Sequence, residues 1–349
     1  MEIILFVVGL GVLMGVVLRW GFKTLPKEKW QMVAAFPLEK LDQGQWRGMN
    51  LTWYGLLSAN AYTFGVIMAV ILAASAGMPI AVLVLLTVLL LAVTIPASKI
   101  VARIVEKKKA TLTIGGAVFA GVVTAPWIIM LVNATLGTAL KFHVPVAVMM
   151  ACLSIGYTFG ESLGRLACLS FGCCYGKPLS RCAGHTRKLF EHFNVVFTGE
   201  TKKVAYASGL AGEKMIPIQI ITAVIYAISG LVGTWLFLRG FAGTALVETL
   251  VVTQVWRVVS EFFRADFRGE RKFSVYQIMA LAAVAYTIAL LAFFPDPEVA
   301  VSLDKGFKAL WHPGMILFFQ GVWIVSFLHS GRSTVTASKI SFHVVKDNI

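Results

Sequence analysis

The sequence predicts an all-α polytopic membrane protein, a transmembrane helical bundle of about eight or nine spans with a small extramembrane insert. Three observations carry this: 58% of the 349 residues are apolar, only 14% are charged, and the mean hydropathy is +0.80. No soluble core needs that much apolar surface. The apolar residues also gather into runs of roughly 20, the length a helix needs to cross the hydrocarbon with its backbone polar groups satisfied internally.

The runs fall near residues 1–19, 52–75, 79–99, 111–133, 144–165, 216–238, 243–263, 274–294 and 313–330. The first begins at Met1 with no basic leader and no small-residue cleavage site, so it is expected to remain as a helix. A polar segment, 20–51, follows it with Lys23, Lys27, Lys29, Lys40 and Arg47. The next connection is only the Gly77-Met78-Pro79 turn. After the fifth run comes the longest polar stretch, roughly 166–215, rich in Gly, Lys, Arg and His, which reads as the extramembrane head. There is no internal repeat and no low-complexity tract.

The net charge of +14 is distributed unevenly. Of the 31 Lys and Arg, all but Lys141, Arg239, Lys305 and Lys308 fall on the face shared by the connections after runs one, three, five and seven and by the C-terminal tail. The opposite face carries the acidic run Asp296, Glu298, Asp304. The positive-inside rule places the basic face in the cytoplasm. Topology alone accounts for such an asymmetry, and so does a face built to hold anionic phospholipid headgroups. Nucleic acid is not among the expected partners.

Ionisable residues inside spans are costly and mark function or pairing. Glu161 and Arg165 lie one helical turn apart in the fifth run. The seventh repeats the pattern with Arg257 and Glu261, then leaves the membrane through Phe262-Phe263-Arg264-Ala265-Asp266. Both pairs sit at the basic end of their helices. An inter-helix clamp and a functional site are both consistent with that spacing.

Four of the five cysteines, Cys168, Cys173, Cys174 and Cys182, lie in or just after the stretch Arg165 to Pro178. The spacing lacks the paired hooks of a structural zinc site, and an odd count with vicinal Cys173-Cys174 fits poorly with a disulfide framework. No metal is expected. Gly172 and Gly176 would let backbone N–H groups approach a phosphate.

The run Gly164-Arg165-Leu166-Ala167-Cys168, continuing through Gly172-Cys173-Cys174-Tyr175-Gly176-Lys177-Pro178, resembles the signature loop of the prolipoprotein diacylglyceryl transferase family. Further segments are similar to family elements in the same order: Trp53-Tyr54-Gly55-Leu56, Gly115-Gly116, Pro217-x-Gln219, and Arg257-x3-Glu261-Phe262-Phe263-Arg264-x-Asp266 with downstream Gln277. The resemblance spans roughly residues 50–295. It divides the chain into an extra N-terminal helix and basic linker (1–50), a transferase-like membrane domain (51–295, insert 166–215), and an additional C-terminal helix and tail (296–349).

The resemblance implies movement of a diacylglyceryl group from phosphatidylglycerol, or another anionic phospholipid, to a cysteine thiol of a prolipoprotein in the bacterial cytoplasmic (inner) membrane. Such a displacement at a glycerol carbon builds negative charge on the leaving phosphate, which fixed guanidinium groups in a water-poor site would stabilise. Arg165, Arg257, Glu161 and Glu261 are therefore the expected catalytic set, with Glu161 either a substitute base or a partner for Arg165. Tyr54, Gly115, Gly116, Cys168, Gly172, Cys173, Gly176, Lys177, Gln219 and Arg264 are expected at the headgroup. No cofactor is called for. The chain departs from the family pattern at Ile114, where the family carries His, and at Cys168 and Cys173, where its best-known members carry Asn and Glu. The family's motif ends meet on the outer face, against the charge distribution here; the extra first span would supply that inversion.

Overall fold

The computed structural model describes residues 1–29, 31–105, 107, 113–266, 273–294 and 299–349. Asp296 and Glu298 of the expected acidic run lie outside them, as do Lys108, Lys109, Arg268, Arg271 and Lys272 of the basic connections.

Helix α1 (Glu2–Thr24) leads into strands β1 (Met32–Lys40) and β2 (Gln45–Thr52), then α2 (Trp53–Ser75) and α3 (Ile80–Val105). Helix α4 (Ile114–Val132) continues through a π-helical turn (Asn133–Gly137) into the single turn α5 (Thr138–Leu140). Helix α6 (Val146–Phe171) precedes the insert, which holds α7 (Gly184–Phe190), β3 (Val195–Val196), α8 (Lys203–Tyr206) and β4 (Lys214–Met215). The bundle closes with α9 (Ile218–Leu238), α10 (Ala242–Glu261), α11 (Val275–Phe293), the short α12 (Leu303–Leu310) and α13 (Pro313–Ser330), and β5 (Arg332–Ser341) follows.

Among the described residues, 8 helices are long and apolar enough to cross a membrane. The ninth expected span is α10, which has 20 residues but carries Glu248, Arg257 and Glu261. At about 1.5 Å per residue it is still as long as the hydrocarbon is thick. Helix α6 is the most buried of the spans, whereas α1 and α13 are mostly exposed and lie at the periphery. The fold is thus a polytopic helical bundle, as the composition predicts.

Helices in lipid gain no hydrophobic drive to associate, so close backbone packing has to supply it. Two stripes of small residues at four-residue spacing do this, Ala61, Gly65 and Ala69 on α2 against Gly156, Gly160 and Gly164 on α6. A Cβ at Gly65 would lie 2.7 Å from the Gly156 carbonyl oxygen, and one at Gly160 would lie 3.3 Å from that of Ala61. Helix starts are fixed locally. The Thr52 hydroxyl accepts from Gly55 N at 3.3 Å, and Ser274 with Gln277 forms a capping box at the start of α11.

One element was not expected from the sequence. Residues 32–52 form a hairpin that pairs with the C-terminal tail in a three-stranded antiparallel sheet ordered β1-β2-β5, with Trp46 opposite Ile340 and Arg47 opposite Lys339. The partner strands are far apart in the chain, and Pro37 sits in the edge strand, where a missing N–H is tolerated. The sheet, the insert and the end of α10 share one face. Thr198 N donates to Pro26 O at 3.1 Å and Lys177 N to Phe263 O at 2.8 Å. The basic connections after runs one, five and seven do therefore meet.

The α2–α6 contact yields a prediction. A Cβ at Gly156 would lie 2.5 Å from the Gly65 carbonyl oxygen and 2.9 Å from the Ala69 Cβ, so Gly156→Leu must push the helices apart. Overpacking of this kind costs about 1–3 kcal/mol. Thermal unfolding in detergent should show a clear loss against Val224→Leu on the exposed side of α9; equal melting of the two variants would contradict the packing.

Candidate functional site

Tyr157, Glu161 and Arg165 follow one another at four-residue spacing along one face of α6. The Arg165 guanidinium contacts Glu161 Oε1, and Arg257 from α10 brings its Nη2 to 3.8 Å from the same oxygen. That Nη2 also donates to the Tyr157 hydroxyl at 2.8 Å. Two cations from separate helices therefore share one carboxylate, and the Glu261 carboxylate lies within electrostatic reach of Arg257 as well. The arginine side chains are only 10% and 11% exposed. Among the described residues, neither Arg165 Nε nor Arg257 Nε has a hydrogen-bond partner. A buried donor without a partner costs about 1–3 kcal/mol, so the pair is under-satisfied as it stands.

The Gly115-Gly116 pair opens α4 beside this cluster. A Cβ at Gly115 would lie 3.0 Å from Arg257 Nη1 and 2.7 Å from the Tyr276 ring, so only glycine lets α4 start here. Gly116 performs the same service toward α3, where a Cβ would lie 2.7 Å from that of Val101.

Helix α6 runs on to Phe171 and ends at Gly172, whose φ of 65° is left-handed. Cys168 accordingly sits in the last turns of the helix, and the chain curls back over it. Cys173 N donates to Cys168 O at 3.1 Å, and Cys174 is itself left-handed at φ 54°. A non-glycine residue held there costs on the order of 1–2 kcal/mol. The Sγ atoms of Cys168, Cys173 and Cys174 all lie within 4.8 Å of one another. Hydrogen bonds from the Cys168 and Cys173 thiols, then the Arg264 and Arg165 guanidiniums, hold the Cys174 thiol well below the usual thiol range.

Neighbouring elements pin nearly every residue of this turn. Gln219 Nε2 at the start of α9 donates to Cys173 O at 2.9 Å, Val204 N to Gly172 O at 3.0 Å, and Ala265 N to Tyr175 O at 3.1 Å. Gly176 pairs with Arg264 as an isolated bridge, and a Cβ there would lie 2.8 Å from that of Ile216. Arg264 grips Asp266 with two hydrogen bonds, of 2.8 and 2.7 Å, and sits 3.8 Å from Glu261. Beneath the turn, the buried Lys202 ammonium donates to Ser170 O at 2.6 Å and Leu25 O at 3.0 Å, a cation at the C-terminal end of α6.

The expected site residues thus fall into two adjoining groups. Arg165, Arg257, Glu161, Gly115 and Gly116 surround the shared carboxylate; Cys168, Gly172, Cys173, Gly176, Gln219 and Arg264 build the turn beside it. Tyr54 lies between, its ring 5.4 Å from that of Phe171 and within electrostatic reach of Cys173 and Cys168. Glu261 meets Arg264, and the carboxylate at 3.8 Å from Arg257 is that of Glu161. Lys177 uses its backbone in the turn and leaves its side chain exposed. Tyr157 was missed, although its place four residues before Glu161 is a readable signal. Lys202 carries no such signal, because its partners are remote in sequence.

A model of the prolipoprotein diacylglyceryl transferase family matches residues 45–293. The chain belongs to that family. A search among curated proteins finds no match. The matched range takes in both groups of site residues and leaves outside it α1, α12, α13 and most of the sheet. Prolipoprotein diacylglyceryl transferases are membrane-embedded transferases, and the chain is multi-pass by the same account.

Lys202 gives this arrangement a pH signature. Burial pushes its ammonium down to about 8, while an unfolded lysine titrates near 10.4. Between those values the unfolded chain binds the extra proton, so folding stability rises with pH across that window. Melting curves in detergent should show wild type gaining on Lys202→Met as pH rises from about 8 to about 10; parallel curves would contradict a depressed ammonium.

Proposed function

We propose that the protein transfers a diacylglyceryl group from phosphatidylglycerol to the cysteine thiol of a prolipoprotein-like acceptor in the bacterial cytoplasmic membrane. The observation that carries this reading is the pair of buried guanidinium groups on one carboxylate, each with an unpartnered Nε–H among the described residues. A phosphodiester is a monoanion, and its oxygens suit the two guanidinium Nε–H donors left unpartnered among the described residues. As the glycerol carbon–oxygen bond breaks, the leaving glycerol phosphate takes the bonding pair and becomes a dianion. The cationic cluster therefore binds the transition state more tightly than the bound lipid, which is the condition for acceleration.

In this reading Arg165 and Arg257 touch the phosphate and are the catalytic residues. Glu161 positions both guanidiniums, and Tyr157 fixes the second. Tyr54, Gly115, Gly116 and the turn from Cys168 to Lys177 wall the headgroup; Arg264, held by Asp266 and Glu261, keeps the turn in place.

The test is transfer from phosphatidylglycerol vesicles to a cysteine-bearing exported peptide. Arg165→Ala and Arg257→Ala should each lower kcat/KM by roughly 10²–10³, the loss usual for one oxyanion-stabilising donor, while melting curves show folded protein. Good expression with no turnover by wild type, and phosphatidylglycerol binding intact, would replace the transferase with a lipid-binding membrane protein that has kept the fold.

A further inference from the structure

The proposed transfer needs its acceptor sulfur as a thiolate, and the family's His position is occupied here by Ile114. The sulfur cluster offers another way to make one. Cys168, Cys173 and Cys174 bring three Sγ atoms within 4.8 Å of one another, and all three are free thiols. Three thiolates around one zinc ion, with zinc–sulfur bonds of about 2.3 Å, stand roughly 3.8 Å apart, so small side-chain rotations would close the set. Among the described residues these three thiols are the whole of the convergent group, which leaves a tetrahedral ion one position open.

The surroundings fit such an ion. Cys168 and Cys173 are buried while Cys174 is half-buried, so the cluster is closed on one side and accessible on the other. Three thiolates and a divalent ion sum to a net negative charge, and the cations of Arg264, Arg165 and Lys203 lie within electrostatic reach to offset it. The Gln219 amide fixes the Cys173 carbonyl, and Cys173 N fixes the turn to Cys168. The left-handed backbone at Cys174 is a position that glycine would occupy more cheaply, yet a thiol stands there. An all-sulfur donor set selects a soft or borderline ion, zinc above magnesium or calcium.

We infer that Cys168, Cys173 and Cys174 form a three-thiolate zinc site whose open fourth position takes the acceptor's cysteine sulfur. Zinc binding stands on the geometry alone; the role of the open position rests on the transferase reading. On coordination the acceptor S–H gives its proton to water. Its sulfur then forms the bond to the lipid glycerol carbon as the carbon–oxygen bond breaks, and glycerol phosphate leaves with the bonding pair toward Arg165 and Arg257. The product thioether is neutral, a weaker ligand than a thiolate, and departs. Arg165 lies one turn before Cys168 on α6, so the phosphate and sulfur ends of the reaction adjoin.

The test uses the full chain purified in detergent with reductant. After incubation with zinc and gel filtration, elemental analysis should find about one zinc per chain, and Cys168→Ser and Cys174→Gly should each lose it. Cys174→Gly relieves the left-handed backbone, so its melting temperature reports folding independently of the metal. Cobalt should replace zinc with a thiolate charge-transfer band, and a cysteine-bearing acceptor peptide, but not its serine counterpart, should shift that spectrum. Folded wild type that retains no zinc, or variants that retain as much as wild type, would overturn the site. A cobalt spectrum indifferent to the cysteine peptide would overturn the open position. These readouts need no turnover, so a chain that binds zinc and thiol yet transfers nothing refutes the transferase reading and leaves the metal site standing.

Discussion

A single buried carboxylate organises this membrane domain. Isolated charges are expensive in a helix bundle, and the expense is met only by a partner in the same low-dielectric space. Glu161 provides one for two cations, and because Arg165 comes from α6 and Arg257 from α10, the ion cluster also fixes how those helices meet. The Glu261 carboxylate also lies within electrostatic reach of Arg257, so the two cations answer to two carboxylates. The Tyr157 hydroxyl takes a hydrogen bond from Arg257 as well.

Such a cluster holds its geometry only on a rigid frame. The close approach of α2 to α6 comes from stripes of small residues, and it sets the depth at which Glu161 and Arg165 are presented. The turn after α6 is fixed from three sides, by Gln219, by Val204 and by the segment after Glu261. Buried Lys202 ties the end of α6 to the end of α1 by donating to Ser170 O, which also accepts from Gln31 Nε2, and to Leu25 O. Roles are thus divided between residues: glycines and amides hold the backbone, and guanidiniums, tyrosines and thiols gather beside it.

The bundle was legible because hydropathy acts over contiguous runs, and each span is a local fact of the chain. The charged pairs were legible for the same reason, since Glu161 and Arg165 lie one turn apart on one helix. What joins helices was not. That Arg257 would share Glu161, where spacing pairs it with Glu261, depends on the packing of α10 against α6 and on Tyr157 standing between them. The sheet escaped notice because β5 meets β2 across almost the whole chain, and neither strand alternates cleanly between apolar and polar residues. The cysteines were singled out by their spacing, but their convergence was not legible, because only the left-handed turn at Gly172 and Cys174 folds the later sulfurs onto the earlier one.

The same geometry bears on how the charge asymmetry is read. The positive-inside rule counts basic residues as free charges beside the bilayer, whereas several of those on the crowded face are occupied by the structure. Arg165 and Arg257 lie on Glu161, Arg264 on Asp266, and Lys202 on two backbone carbonyls, each with little of its side chain exposed. Residues held this way answer to the site and not to translocation. Part of the basic excess is therefore taken up by ion pairs and backbone carbonyls at the candidate site, distributed over the loops that build it. On whichever side of the membrane that face lies, the rest of the net charge of +14 would draw anionic headgroups to it.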